Sequence, residues 1–213
     1  MLSERRCVPV GWPAAASGGN PDVAERLAGE AVAAGATRLI SFGLAGGLDP
    51  ALRPGDLVIG SSVVTTVPDL PPVPCCVPSP SPPAPLRPAT VAPVLGVDTP
   101  AATIVDKARL RLDTGAAIVD MESHRVAGVA QAAGGPVPVA VVVVRVLLDP
   151  ADQRLPPSAL VGLAPDGATR PFAVMRSLIR HPWDLPDLVR LGRQTRLALK
   201  ALRAAGESLR AQP

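Results

Sequence analysis

The sequence predicts an α/β fold with a largely parallel sheet, on three observations. Stretches of strand character alternate with stretches of helical periodicity along most of the chain. Val139 to Leu148 is a valine-rich run, as expected of a strand buried on both faces. Gly43-Leu44-Ala45-Gly46-Gly47 follows directly on another strand-like segment, at the end of the strand where open α/β sheets bind ligands. The 213 residues fit one domain, 1–213, and 47% apolar residues supply a sizeable core.

Taken in order, Cys7-Val8-Pro9-Val10 reads as a short first strand. Asn20-Pro21-Asp22 starts a helix, because Asn caps, Pro suits the first helical position and acids favour the positive end of the dipole. Gly35 ends it, and Thr37 to Phe42 follows as a strand that runs into the glycine-rich stretch, read as a turn. Leu57 to Thr66 is the next strand. From Pro68 to Pro93, eleven of the 27 prolines fall in 26 residues, which predicts an irregular surface insertion, 68–93, with no helix or central strand. Ala101 to Arg111 reads as a helix, Ala116 to Val119 as a strand, and Met121 to Ala133 as a helix. The valine-rich strand then ends at Asp149-Pro150, and Asp184 to Ala205 is the last helix, with leucines at near-helical spacing.

Composition excludes several function classes. Lys and Arg total 21 against 18 Asp and Glu, a scattered excess of +3 that makes no nucleic-acid footprint. Aromatic residues are 2% with no Tyr, so base-stacking platforms are not expected either. Three Cys, two His and no C-x-x-C predict neither a disulfide framework nor a metal site, and favour a reducing compartment. Met1 to Arg6 is polar with no apolar run behind it, so no signal peptide is expected, and no apolar run is long enough to span a bilayer. In the last region Arg176, Arg180, Arg190, Arg193, Arg196, Lys200 and Arg203 accompany a leucine stripe. Such a segment can lie on anionic lipid or dock on its own sheet.

Three clusters at strand ends could carry chemistry. In the first, Ser41 to Pro50 followed by Pro54-Gly55-Asp56, glycines let backbone N–H groups approach an anion or a polar ring. The second is Asp120-Met121-Glu122-Ser123-His124, where two carboxylates flank a Met at a helix start. A carboxylate can accept both hydroxyls of a vicinal diol, although here it can equally cap the helix. The third is Arg145 to Gln153, in which Asp149 follows a buried strand. Desolvation there raises a carboxyl pKa until it can hold a proton near neutrality, while the same Asp before Pro150 can simply start a turn.

Together these clusters resemble the nucleoside phosphorylase and nucleosidase family that includes the methylthioadenosine/S-adenosylhomocysteine nucleosidases. The matching elements are Ala45-Gly46-Gly47 with Pro54-Gly55-Asp56, the Met121-Glu122 pair, and Asp149 with Ala151-Asp152 behind it. Ser41 to Gly55, Gly96 to Pro100, Val119 to Ala127, Asp149 to Pro157 and Ser177 to Pro182 also look like the hopanoid-associated phosphorylases, the adenosylhopane nucleosidases.

The resemblance implies a three-layer αβα fold with a mixed, mostly parallel sheet. It implies cleavage of the N-glycosidic bond of an adenine nucleoside, releasing adenine from adenosylhopane in hopanoid biosynthesis. Asp149 would be the catalytic acid at purine N7, and Glu122 would hold the ribose hydroxyls and face the cationic sugar. Met121, Ala45, Gly46, Gly47 and Asp120 would complete the substrate site. No cofactor is implied beyond water or inorganic phosphate as co-substrate. The expected ligand is a lipid-linked adenine nucleoside, the expected assembly a homodimer, and the expected location the cytoplasm with peripheral membrane contact.

The chain also departs from the family. The nucleosidases carry an acid after the first strand that positions the attacking water, whereas here Val10-Gly11-Trp12-Pro13 leads straight into Ala14-Ala15-Ala16. Glu4, ahead of that strand, reads as a poor substitute. Leu148 stands where a Ser or Thr is common, and no base-stacking Phe falls near Thr99. The alternative reading is a catalytically degenerate member that binds a nucleoside or acts as a scaffold.

Overall fold

The computed structural model describes residues 2–67, 70–78, 88–134, 137–160 and 171–210. Its helices are α1 (Leu2–Arg5), α2 (Pro21–Ala33), α3 (Ile104–Thr114), α4 (Ser123–Ala132), α5 (Pro157–Leu160), α6 (Pro171–Arg180) and α7 (Leu185–Arg210), with a 3-10 turn at Pro182–Asp184. Its strands are β1 (Arg38–Gly47), β2 (Leu57–Val64), β3 (Val73–Pro74), β4 (Thr90–Gly96), β5 (Ile118–Asp120) and β6 (Ala140–Asp149). Asn20 caps α2 as expected, its side chain accepting from the Val23 N–H at 3.1 Å. Thr103 does the same for α3, and Gly115, at φ 67°, closes that helix in the left-handed region.

The strands form one mixed sheet in the order β3-β2-β4-β5-β1-β6. The pairs β1–β6, β2–β4 and β4–β5 are parallel, and β1–β5, β2–β3 and β2–β6 antiparallel. Because β2 also pairs with β6, the strands β2, β4, β5, β1 and β6 close into a ring. Helices cover both sides, as the α/β reading expects. Val141, Val143 and Leu147 of β6 pack in the cluster that holds Ala28 of α2 and Ala127 and Ala130 of α4. The alternate residues Val142, Val144 and Val146 pack with Ala198, Ala201 and Leu202 of α7. The strand is thus buried on both faces, and the period of two assigns each valine its side. Arg145 is the charged exception, at 1% exposure.

Three expectations about local structure are corrected. Cys7-Val8-Pro9-Val10 is not a strand, because the Cys7 and Val8 N–H groups fold back onto the carbonyls of Glu4 and Arg5, at 2.8 and 3.2 Å. Pro9 has no N–H to give a ladder, and Gly11 then turns the chain at φ 92°.

Nor is Gly43 to Gly47 a turn, since β1 runs straight through it. The glycines clear room for side chains of the neighbouring strand. A Cβ on Gly43 would stand 2.5 Å from Arg145 Nη1, and one on Gly46 would stand 3.4 Å from Asp149 Oδ2.

The proline-rich stretch 68–93, finally, contains strand structure: β3 pairs with β2, and β4 starts at Thr90 and lies between β2 and β5. Pro93 fits inside β4 because the register shifts there, with Ser61 and Ser62 of β2 between the pairs Gly60↔Ala92 and Val63↔Val94. Residues 68, 69 and 79–87 of that stretch lie outside the described residues.

Candidate active site

The site starts from a β-bulge. β1 and β6 run in register from Arg38↔Ala140 to Ala45↔Leu147, and then the register shifts so that Gly46 faces Asp149. The shift brings the Asp149 carboxylate beside the bare Gly46 backbone, at the ends of two parallel strands.

Next to it, β5 ends at Asp120, whose Oδ1 accepts the N–H groups of Glu122 and Ser123 at 2.8 and 2.7 Å. Oδ2 accepts the Ser123 hydroxyl at 2.5 Å. These bonds fix the turn from β5 into α4 and aim Glu122 inward. Asp120 Oδ2 also lies 2.9 Å from Arg145 Nε, an ion pair without hydrogen-bond alignment.

Arg145 gathers the rest. Its Nη2 donates to Ser41 Oγ at 2.7 Å and to Glu122 Oε2 at 3.2 Å, and its Nη1 reaches the same Oε2 at 3.3 Å. The other Glu122 oxygen, Oε1, accepts from the Ser17 hydroxyl and from the Gly19 N–H, the latter at 3.0 Å. Burial pushes the Glu122 carboxyl up, but the Arg145 charge and the Ser17 and Gly19 bonds outweigh it and hold the pKa below the usual value. Burial likewise opposes charge on Arg145, yet Asp120, Glu122 and Glu4 around it raise its pKa.

Asp149 has the opposite environment. At 3% exposure, desolvation dominates and raises its pKa to about 6, although Lys107 opposes the rise. Lys107 of α3, fully buried, donates from Nζ to Asp149 Oδ2, and also to the carbonyls of Pro150 and Gln153, both carbonyls at 2.9 Å. All three ammonium hydrogens are thereby used.

A cavity of about 540 Å³ joins the two environments. Asp149, Glu122, Met121, Ala45, Gly46 and Asp120 all line it. Gly47 does not; a Cβ there would meet Leu147 Cδ1 at 3.0 Å and the Ala151 N at 3.2 Å, so it is a packing position. Asp120 faces the cavity, but its oxygens are engaged by Glu122, Ser123 and Arg145. Glu4 lines this cavity and also a second one, of about 410 Å³, that shares Glu122. Its Oε1 accepts the Leu44 N–H at 3.0 Å, so a residue read as out of place stands at the site.

Sequence reasoning gave no role to Arg145, Lys107 or Ser17. Arg145 had a signal, a lone charge inside an apolar strand. Lys107 had none, because a lysine on a helix of mixed polarity ordinarily faces water. Among the described residues no three His, Cys, Asp or Glu side chains converge to hold a metal. The site sets a carboxyl whose pKa is raised to about 6 against one held below its usual value.

No curated protein matches the chain. Among solved structures, futalosine hydrolase of Helicobacter pylori superposes with a TM-score of 0.57 at 14% identity, over 90% of this chain and 74% of its own. The 5′-methylthioadenosine/S-adenosyl homocysteine nucleosidase of the same organism, complexed with a pyrrolidine inhibitor, gives 0.59 at 14% identity, over 90% and 75%. S-adenosylhomocysteine nucleosidase of Streptococcus pyogenes, in complex with 5-methylthiotubericidin, gives 0.50 at 18% identity, over 62% and 64%. At such identities the likeness is one of fold. Residues 14–180 match the family described as the Phosphorylase superfamily, and the chain belongs to that superfamily.

Proposed function

We propose that the protein cleaves the N-glycosidic bond of an adenine nucleoside, and that its substrate is adenosylhopane, an intermediate of hopanoid biosynthesis. The observation that carries the reading is that one cavity is lined both by a carboxyl poised near pH 6 and by a carboxylate held below its usual pKa. Adenine leaves poorly as an anion. A proton passed from Asp149 to purine N7 lets the electrons of the C1′–N9 bond depart with the base. The ribose then carries positive charge, which Glu122 stabilises while its oxygens orient the sugar hydroxyls. Met121 packs on the sugar, and Ala45 and Gly46 flank the base. Water or inorganic phosphate closes on C1′, and the reaction uses no cofactor.

Glu4 supplies the carboxylate that the chain lacks after Val10. It stands beside Gly43 and Arg145 and borders both cavities, where it can orient the incoming water. The second cavity is walled by Val8, Trp12, Leu27 and Phe42 and reaches Glu122, so an apolar group on the 5′ side of the ribose has a slot beside the sugar. A triterpene substituent fits that chemistry better than a polar one. The same reading carries the expected homodimer, which sedimentation velocity tests.

One observation favours the alternative of a member that binds without turnover. Both Glu122 oxygens already have donors, from Ser17, Gly19 and Arg145, so a ribose diol must displace one of them. One experiment decides. Purified protein is given adenosylhopane or methylthioadenosine, with and without phosphate, and free adenine and the sugar product are assayed. Adenine with ribose or with a ribose 1-phosphate ester supports cleavage and names the nucleophile. No adenine under any condition removes the enzymatic reading, and calorimetric binding without turnover then leaves the alternative.

A further inference from the structure

We infer that α6, the Pro182–Asp184 turn and the first turns of α7 form a docking surface for an anionic lipid bilayer. Water-exposed apolar side chains concentrate there: Met175 is 60% exposed, Ile179 79%, Trp183 65%, Leu185 51% and Val189 48%. Met175 and Ile179 lie one helical turn apart on α6, so they project from the same face. Trp183 follows in the turn, with its ring packed edge-on against His181 at 5.4 Å between centroids. A cluster of this kind on water is costly and marks an interaction site.

The charge around it selects the partner. Arg176, Arg180, Arg190 and Arg193 are exposed in the same stretch. Asp184 and Asp187 are the acids between residues 174 and 206. Asp184 is buried, accepting from the Ser158 N–H and hydroxyl at 3.3 and 2.8 Å, and Asp187 pairs with Arg154 at 3.4 Å. Among the described residues of this stretch, the surface therefore offers arginines and apolar side chains without an unpaired acid to offset them. An arginine can lay its stem on acyl chains and its head among phosphates, and Trp suits the same boundary. A symmetric pair of copies through this face would set arginine against arginine, so a bilayer with acidic headgroups fits it better.

The surface is already in place. Ser158 of α5 bonds to Ser177 of α6 at 3.1 Å and to Asp184 of the turn, tying the three elements together with little left to order on binding. Leu160, at the end of the same α5, lines the cavity that holds Asp149. Docking thus brings the catalytic cavity close to the lipid. That step rests on the proposed adenosylhopane substrate, whereas membrane docking itself does not. Of the leucine stripe that suggested lipid contact in the sequence, Leu185 belongs to this surface, whereas Leu202 is buried and Leu199 packs with it against the sheet.

The test is co-sedimentation with vesicles of phosphatidylglycerol and phosphatidylcholine, against phosphatidylcholine alone, without nucleoside. Binding to the acidic vesicles that weakens with salt is expected. Replacing Arg176→Gln and Arg180→Gln together should weaken it about thirtyfold, at roughly 1 kcal/mol per arginine near the headgroups. Ile179→Asp should abolish it while adenine release in free solution stays unchanged. No vesicle binding, equal binding to neutral vesicles, or Ile179→Asp binding like the parent overturns the proposal. So does a variant that changes the sedimenting mass instead, which assigns the face to a second copy. Adenine release is measured separately, so failure of the catalytic reading leaves the vesicle result standing.

Discussion

Lys107 and Asp149 form a buried ion pair at the wall of the cavity, with both groups shut away from solvent and the ammonium held by two carbonyls besides. The lysine fixes Oδ2 and lowers the proton affinity that burial raises. Lys107→Met removes the cation and leaves the desolvation. The Asp149 pKa should then climb above its present value of about 6, and the alkaline limb of kcat/KM should move to higher pH. A merely structural lysine would lower stability and leave the position of that limb unmoved. Lys107→Arg, which keeps the charge, should leave the limb near that of the parent. The pH profiles of the three proteins are the measurement.

In the parent protein the two carboxyls define a pH window. Glu122 titrates below its ordinary 4.5 and is ionised throughout the neutral range, while Asp149 loses its proton as pH rises through about 6. The expected kcat/KM profile is therefore highest between these values and falls about tenfold per unit above the second. Asp149→Asn, which cannot donate a carboxyl proton, should lose on the order of 10²–10⁴ in kcat and the alkaline limb with it. Full activity in that variant removes Asp149 from the mechanism. Stability should follow the same group. Its folded pKa exceeds its unfolded one, so its favourable contribution is complete below about 3.9 and is lost as pH rises through about 6.

Arg145 compensates two acids at once, Asp120 through Nε and Glu122 through its two terminal nitrogens. Removing the cation leaves the buried Asp120 and the partly buried Glu122 carboxylates without it. Arg145→Met should destabilise the protein by about 3–5 kcal/mol, the cost of breaking a buried pair by removing one partner. Urea denaturation at pH 7 measures it. Part of the loss should return at lower pH, because Glu122 without Arg145 takes up a proton more readily. A loss that does not depend on pH would assign Arg145 to packing alone.

The elements the sequence disclosed were those that local chemistry dictates. Asn20-Pro21-Asp22 starts a helix for reasons contained in three residues, and the run from Val139 to Leu148 has no stable place except a buried strand. The candidate site residues Asp149, Met121 and Glu122 were singled out by resemblance to a family pattern, and the three line one cavity. What stayed hidden depended on partners far along the chain. Gly43 looks like a turn until Arg145, 102 positions on, is seen to need the space of its missing side chain. Pro93 looks incompatible with a central strand until β2 supplies two residues opposite it. Glu4 looks stranded because nothing local shows that α1 returns to the edge of the site.

Ser17 provides the last test, because its hydroxyl donates to Glu122 Oε1. If Glu122 binds the ribose diol, Ser17 competes for the same oxygen and must yield when the nucleoside enters. Ser17→Ala removes the competitor and leaves the Arg145 and Gly19 bonds that keep Glu122 ionised. Releasing a hydrogen bond to a carboxylate is worth roughly 1.5 kcal/mol, so KM should fall by up to about tenfold with little change in kcat. A KM that rises would mean that Ser17 holds the substrate, not its place. A fall in kcat with KM unchanged would mean that the hydroxyl supports the charge on Glu122 during bond cleavage.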